Sequence, residues 1–402
     1  MNIIRDICVY YLLVWPLTPP LRGGVLWQGL FIVCFFTFLM LGGGGSALKR
    51  LKFTLFGCVT FVLILLLTYF RYGFLSGYTL VTSIGCYCVY NIILGYYQDV
   101  GWGRFVSVFL CLSLSLIVWN VTTCYALTIN PWIARSLAAD ATGGLLVVDS
   151  GLAMICGGFQ YVYTSALLAP LFLLCVFQKG VGMSEKCALG VCGLSSICVV
   201  ALSGYSIANV ALVLGIFLCV FHRFFSIFNF FVIAVSSILV IRAFWKNLYA
   251  ILVSLAGDRL EYLNKIEAVF YPESSGRGEF DSRLFLWKES IDSFFRNPIV
   301  GDGVAGGHSG ILDLFGMYGG FIGGMMLFFM FYPLFRIKSS LDRSVLNGII
   351  PVMLLPFLMI VILNPFQNAY GVVLFVLFPY ICSRYFSRDR DLLGSPRRLV
   401  AL

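Results

Sequence analysis

Long apolar runs alternate with short polar breaks along nearly the whole chain. Runs of about 20 residues match a bilayer core crossed as a helix. They fall at about 4–20, 24–42, 53–70, 74–97, 105–128, 152–178, 187–204, 207–222, 224–244, 309–334, 345–363 and 367–383, which predicts about twelve transmembrane helices. Only Ser203-Gly204-Tyr205-Ser206 divides 187–222, so a tight turn is expected there. The first run ends at Trp15-Pro16-Leu17-Thr18-Pro19-Pro20 without a small-residue cleavage site, and is expected to be a retained span. The run Gly42-Gly43-Gly44-Gly45 reads as an inner turn that serves as a linker.

Two longer segments interrupt the pattern. The smaller, about 129–151, carries Asn130-Pro131-Trp132, then Arg135, Asp140 and Asp149. Trp132 suits a membrane interface, and Arg135 reads first as a snorkelling charge. The larger, 245–308, collects most of the acidic residues. In it, Leu260, Leu263, Ile266, Val269 and Phe270 share one helical face, as do Leu284, Trp287, Ile291, Phe294 and Phe295. The breaker Pro272-Glu273-Ser274-Ser275-Gly276-Arg277-Gly278 separates them. Two amphipathic helices are therefore expected to lie over the outer face of the bundle and roof a cavity. The organisation expected is a first bundle of about nine spans over 1–244, the outer loop 245–308, three last spans over 309–383 and a basic tail, 384–402.

Composition agrees: 60% of residues are hydrophobic and 11% charged, against roughly 25% charged in a soluble domain. The fold class expected is an all-α polytopic membrane protein. Basic residues orient it. With both termini cytoplasmic, the short inner loops hold Lys49, Arg50, Lys52, Arg104, Lys179, Lys186, Arg223, Arg336, Lys338 and Arg343, while the short outer turns hold only Arg22 and Arg71. The net charge of +9 is then a collar facing anionic headgroups, with no nucleic acid implied. The 14 cysteines fall almost wholly inside apolar runs, where they act as small hydrophobes. Cys86-x-Cys88 has no histidine nearby in sequence, so no metal site and no cofactor are expected. His222 beside Arg223 reads as an interfacial residue, and Asp389-Arg390-Asp391 as a solvated tail.

One region carries candidate chemistry. Ser282-Arg283-Leu284-Phe285-Leu286-Trp287 leads to Asn297-Pro298-Ile299-Val300-Gly301-Asp302-Gly303, then to Gly307-His308-Ser309-Gly310-Ile311-Leu312-Asp313 at the start of an apolar run. A cation and a titratable base thus meet at a membrane edge, as an enzyme acting on a lipid-linked anion requires. Arginine binds phosphate oxygens bidentately and keeps its charge. His308 can serve as general base. Gly301, Gly303, Gly306 and Gly307 allow close approach, and the helix starting near Ser309 offers backbone N–H groups to an anion. Asp313 can orient an imidazole or pair with an arginine, since a carboxylate at that depth needs a partner. No Walker lysine is present, so the glycines form no nucleotide loop.

The ordered set Arg283, Trp287, Asn297-Pro298, Gly301, Gly303, His308 and Gly319-Gly320-Phe321-Ile322-Gly323-Gly324 resembles the signature of the bacterial O-antigen polymerase and O-antigen ligase superfamily. The sequence around His308 is more similar to the polymerases. The resemblance implies a GT-C-like helical architecture in the bacterial inner membrane, with its active site facing the periplasm. It implies transfer of a growing glycan from undecaprenyl pyrophosphate to the non-reducing end of another lipid-linked repeat unit, with His308, Arg283 and Asp313 catalytic. Membrane lipid and a chain-length regulator protein are the further partners implied. Ligases carry a second arginine after a Ser-Gly turn between middle spans, where this chain has Tyr205. A second cation gripping the pyrophosphate then comes from Arg135, Arg242, Arg259 or Arg277, with Arg277 favoured for its flanking glycines. A ligase acting on lipid A-core and a non-enzymatic flippase are the alternatives. A glycosyltransferase with its acid in the first outer loop is disfavoured, because Thr18-Pro19-Pro20-Leu21-Arg22-Gly23 holds no carboxylate.

Overall fold

A computed structural model describes residues 2–15, 18, 25–73, 78–100, 105–134, 137, 150–177, 181–221, 232, 236, 279–304, 306 and 309–338. Every regular element among them is helical. Leu26–Lys49, Leu51–Tyr72, Phe105–Ile129, Met183–Ser203 and Gly310–Tyr332 are each long and apolar enough to cross a membrane. The protein is a helical, membrane-embedded chain. The runs expected at 345–363 and 367–383 lie outside the described residues, as do nearly all of 224–244 and the amphipathic stretch 260–270. The described residues fall into two compact units: those up to Val220 together with those from Met326 on, and those from Phe221 to Met325.

The first unit begins with α1 (Asn2–Val14) and α2 (Val25–Phe38). Beyond α2 a π turn over Leu39–Gly43 leaves helical geometry at Leu41 and Gly42, and α3 (Gly44–Lys49) resumes it at once. This corrects the expected linker: Gly42-Gly43-Gly44-Gly45 is a kink within a span. The bend sits at Gly42, whose φ is 123°, and the Phe38 ring fills the place a Gly43 side chain would need.

The next helix, α4 (Leu51–Tyr72), shows why these elements suit lipid. Leu55, Val59, Val62 and Leu66 recur at helical spacing on an exposed face, while Gly57, Thr60, Ile64 and Thr68 are buried. Small and weakly polar residues face inward because helix contacts in a bilayer rely on close packing and hydrogen bonds. Thr60 and Thr68 donate to carbonyls one turn back, at 2.9 and 2.7 Å. A Cβ on Gly57 would lie 2.6 Å from the Phe329 ring, so glycine there lets that ring seat against the helix.

Four helices follow the predicted runs closely: α5 (Tyr78–Val100), α6 (Phe105–Ile129), α9 (Met183–Ser203) and α10 (Ser206–Phe221). Between α6 and α9, the run expected at 152–178 divides into α7 (Ser150–Ile155) and α8 (Phe159–Val176). The expected turn between α9 and α10 is present, made by Gly204 at φ 67°. A polar node joins α6, α8 and α9. Asn120 donates to Ser195 and Ser196 at 2.8 and 3.1 Å and accepts from the Tyr161 hydroxyl at 2.6 Å. Every polar group of the Asn120 side chain is thereby satisfied, as burial requires.

Candidate functional site

The second unit holds α11 (Glu279–Arg296), a turn at 297–303, a returning segment and α12 (Gly310–Lys338), whose residues from Met326 on belong to the first unit. Helix α11 stops at Asn297-Pro298 because proline has no N–H and disfavours helical geometry in the residue before it.

Its buried face is not the predicted one. Ser290 and Ser293 are wholly buried, whereas Leu284, Phe285, Ile291 and Phe295 are exposed. The physical reason is close approach to α12. A Cβ on Gly316 would sit 2.8 Å from the carbonyl oxygens of Ser290 and Val304, so only small residues fit at this crossing. The Ser293 hydroxyl donates to the Gly316 carbonyl at 3.0 Å, and the Phe294 and Phe315 rings meet edge to face at 5.8 Å. Contacts advance in step, Ser290 with Asp313 and Ser293 with Gly316, so this part of α11 runs beside α12 in the same direction.

The turn and the glycine motif of α12 are two halves of one packing unit. Gly319 has φ 70° and ψ −176°, which breaks the helix. The freed amides of Gly320 and Phe321 donate to the carbonyls of Pro298 and Ile299 at 2.7 and 3.2 Å. Within the turn, Gly301 N–H donates to Asn297 at 2.7 Å, and Gly301 and Gly303 hold φ of 72° and 84°. A Cβ on Gly301 would come within 2.6 Å of the Gly319 nitrogen.

From there the chain returns alongside both helices. Asp302 N–H donates to the Gly316 carbonyl at 2.9 Å, and Gly306 N–H to Ser290 Oγ at 2.9 Å. A Cβ on Gly306 would run into the Leu286 carbonyl, so glycine permits this crossing. The buried Asp313 then closes a lock. One oxygen accepts from the Ser290 hydroxyl at 2.7 Å and the other from Ser309 N–H at 3.3 Å. Ser309 caps α12, accepting from Leu312 N–H at 3.4 Å. Two amides expected to face an anion at this helix end, those of Ser309 and Leu312, are thus engaged inside the protein.

No protein-family model matches the chain, and neither does any curated protein.

The expected site residues are distributed as follows. Asp313 is in the lock and Gly303 in the turn. Position 283 is on α11 three residues before Leu286, so the Gly306 crossing falls one turn from it. Tyr205 belongs to the first unit, buried against the rings of Phe159 and Tyr163 at 5.2 and 5.9 Å. His308, Arg277, Arg259 and Arg135 lie outside the described residues. Sequence reasoning missed Ser290, Ser293 and Gly316 as framework. Their signal was present: Ser290-x-x-Ser293 on α11 and a third small residue, Gly316, one turn before Gly319.

Proposed function

We propose that this chain polymerises lipid-linked oligosaccharide repeat units. It transfers the growing glycan from undecaprenyl pyrophosphate to the non-reducing end of another undecaprenyl-pyrophosphate-linked unit, without a metal. The observation that carries the reading is the crossing of the Gly306 segment over α11 at Leu286 and Ser290. That segment leads to His308 two residues later, and position 283 precedes the crossing by one turn. Gly306 and Ser309, which flank position 308, are bonded to Ser290 and Asp313, and position 283 is on the same helix as Ser290, which supports the reading. The likeness of the ordered residues to the polymerases supplies the substrate class.

In this reading Arg283 stabilises charge building on the pyrophosphate leaving group, and His308 takes the proton from the acceptor hydroxyl. Asp313 positions the segment through Ser290 and Ser309. Arg277, Arg135 and Arg259 are the candidates for a second cation on the pyrophosphate. The architecture proposed is a GT-C-like bundle of about twelve spans in a bacterial inner membrane, with cytoplasmic termini and a periplasmic site.

The test is the surface-glycan banding of cells lacking the gene. Loss of long chains while a single repeat unit still caps lipid A-core is the expected result. Loss of every capped form would replace the reading with a ligase or a flippase.

A further inference from the structure

We infer that the C-terminal end of α11 and the turn after it dip into the hydrocarbon core of the membrane, with Phe295 and Ile299 against lipid acyl chains. The inference stands apart from the enzymatic reading and rests on three observations.

The first is register. Ser290 pairs with Asp313, Ser293 with Gly316, and the Pro298 and Ile299 carbonyls with the amides of Gly320 and Phe321. The turn is therefore level with a point roughly 16 Å along α12 from its start at Gly310. Helix α12 supplies an apolar stretch, Gly310–Tyr332, and its first basic residue is Arg336. Counting back the roughly 20 residues that cross a hydrocarbon core reaches the neighbourhood of Gly316. At that count the turn is inside the core by one helical turn or more.

The second is the surface at that level. Phe295 is 72% exposed, Ile299 69% and Phe321 60%. Because Phe321 N–H bonds the Ile299 carbonyl, the turn's apolar surface adjoins that of the membrane helix. One exposed charge of α11, Arg296, lies about one turn deeper than Ser293, the residue level with Gly316, and is neutralised there by an ion pair. Asp302 bonds Gly316 through its own amide, and its carboxylate pairs with Arg296 at 2.7 Å. Lys288 and Asp292 precede Ser293, the residue level with Gly316.

The third is backbone satisfaction. Backbone polar groups at membrane depth must be satisfied inside the protein, because no water is there to pair them. Here both amides freed by the Gly319 break find carbonyls of the turn, and Gly301 and Asp302 donate internally.

The test uses the full-length wild-type protein in vesicles of phosphatidylethanolamine and phosphatidylglycerol. The vesicles are doped with a phospholipid carrying a diazirine in mid-acyl chain. After irradiation, digestion and mass spectrometry, label is expected on Phe295 and Ile299 at a level within about threefold of Phe321, with none on Lys288 or Asp292. Absence of label from Phe295 and Ile299 would overturn the inference, and so would equal labelling of Lys288 and Asp292. Glycan polymerisation is not part of the readout, so the outcome is independent of the enzymatic assignment.

Discussion

Ser290 ties three chain segments together: it holds the Asp313 carboxylate, receives the Gly306 amide and packs against Gly316. Removing its hydroxyl leaves a buried carboxylate oxygen and a backbone amide each short of that partner. Ser290→Ala is therefore expected to destabilise by about 1–3 kcal/mol, read as a lower unfolding temperature in detergent. Asp313→Asn is expected to fall in the same range, since an amide nitrogen facing Ser309 N–H offers a donor where an acceptor stood. A Ser290→Ala protein with an unchanged melting curve would show the lock to be unimportant. The two groups proposed for chemistry behave differently under substitution. His308→Ala should leave the protein inserted and lower chain extension by about 10²–10⁴, the range for a positioned general base. Arg283→Lys should stay severely impaired, because lysine lacks the planar fork that grips two phosphate oxygens. Polymer length on gels from complemented cells checks both, and near-normal chains from either variant would remove that residue from the mechanism.

Among the elements, α12 is the one whose glycines differ most from each other. Gly319 lies in a backbone region that essentially only glycine occupies, and a side chain there would strike the Ile299 carbonyl. Gly319→Ala is expected to cost about 1–3 kcal/mol from the backbone alone. Gly324, in the same motif, has open space around the Cβ position, and Gly324→Ala should be neutral or slightly stabilising. Comparing the two melting temperatures checks the assignment, and equal losses would mean that the motif works as a flexible stretch instead of a fixed break. Helix α11 shows how an amphipathic pattern is misread. Leu284, Ile291 and Phe295 form a periodic apolar stripe, yet the helix packs through Ser290 and Ser293. In water such a stripe turns inward. Beside a membrane helix, small residues allow the closer backbone approach, and the apolar stripe can be left outside.

Taken whole, the protein is a helical membrane chain whose ordered motif runs from position 283 into the first part of α12. Only two histidines occur in the chain, and of these only His308 belongs to the acidic segment 245–308. Charge stabilisation in the proposed reaction therefore falls to arginines, and purified enzyme should extend its lipid-linked substrate in excess EDTA. Activity lost with chelator and restored by Mg²⁺ or Mn²⁺ would make the carboxylates between 258 and 302 metal ligands and overturn the proposed mechanism.

Helix existence was legible from the chain alone, because an apolar run of membrane length has few other ways to satisfy its backbone. The break at Gly204 was legible for a similarly local reason: no other turn signal lies in that run, and glycine tolerates the left-handed conformation found there. The motif residues were visible as an ordered list, but their arrangement was not. Tertiary packing decided that Gly42-Gly43-Gly44-Gly45 kinks a helix instead of ending one, since the outcome turns on whether the Phe38 ring finds room. It also decided that serines of α11 face inward, that the Asn297-Pro298 turn fills the break at Gly319, and that Asp313 reaches back to Ser290. Each of these depends on how near two backbones come. Residue order sets which groups are available, but that distance is a property of the packed helices.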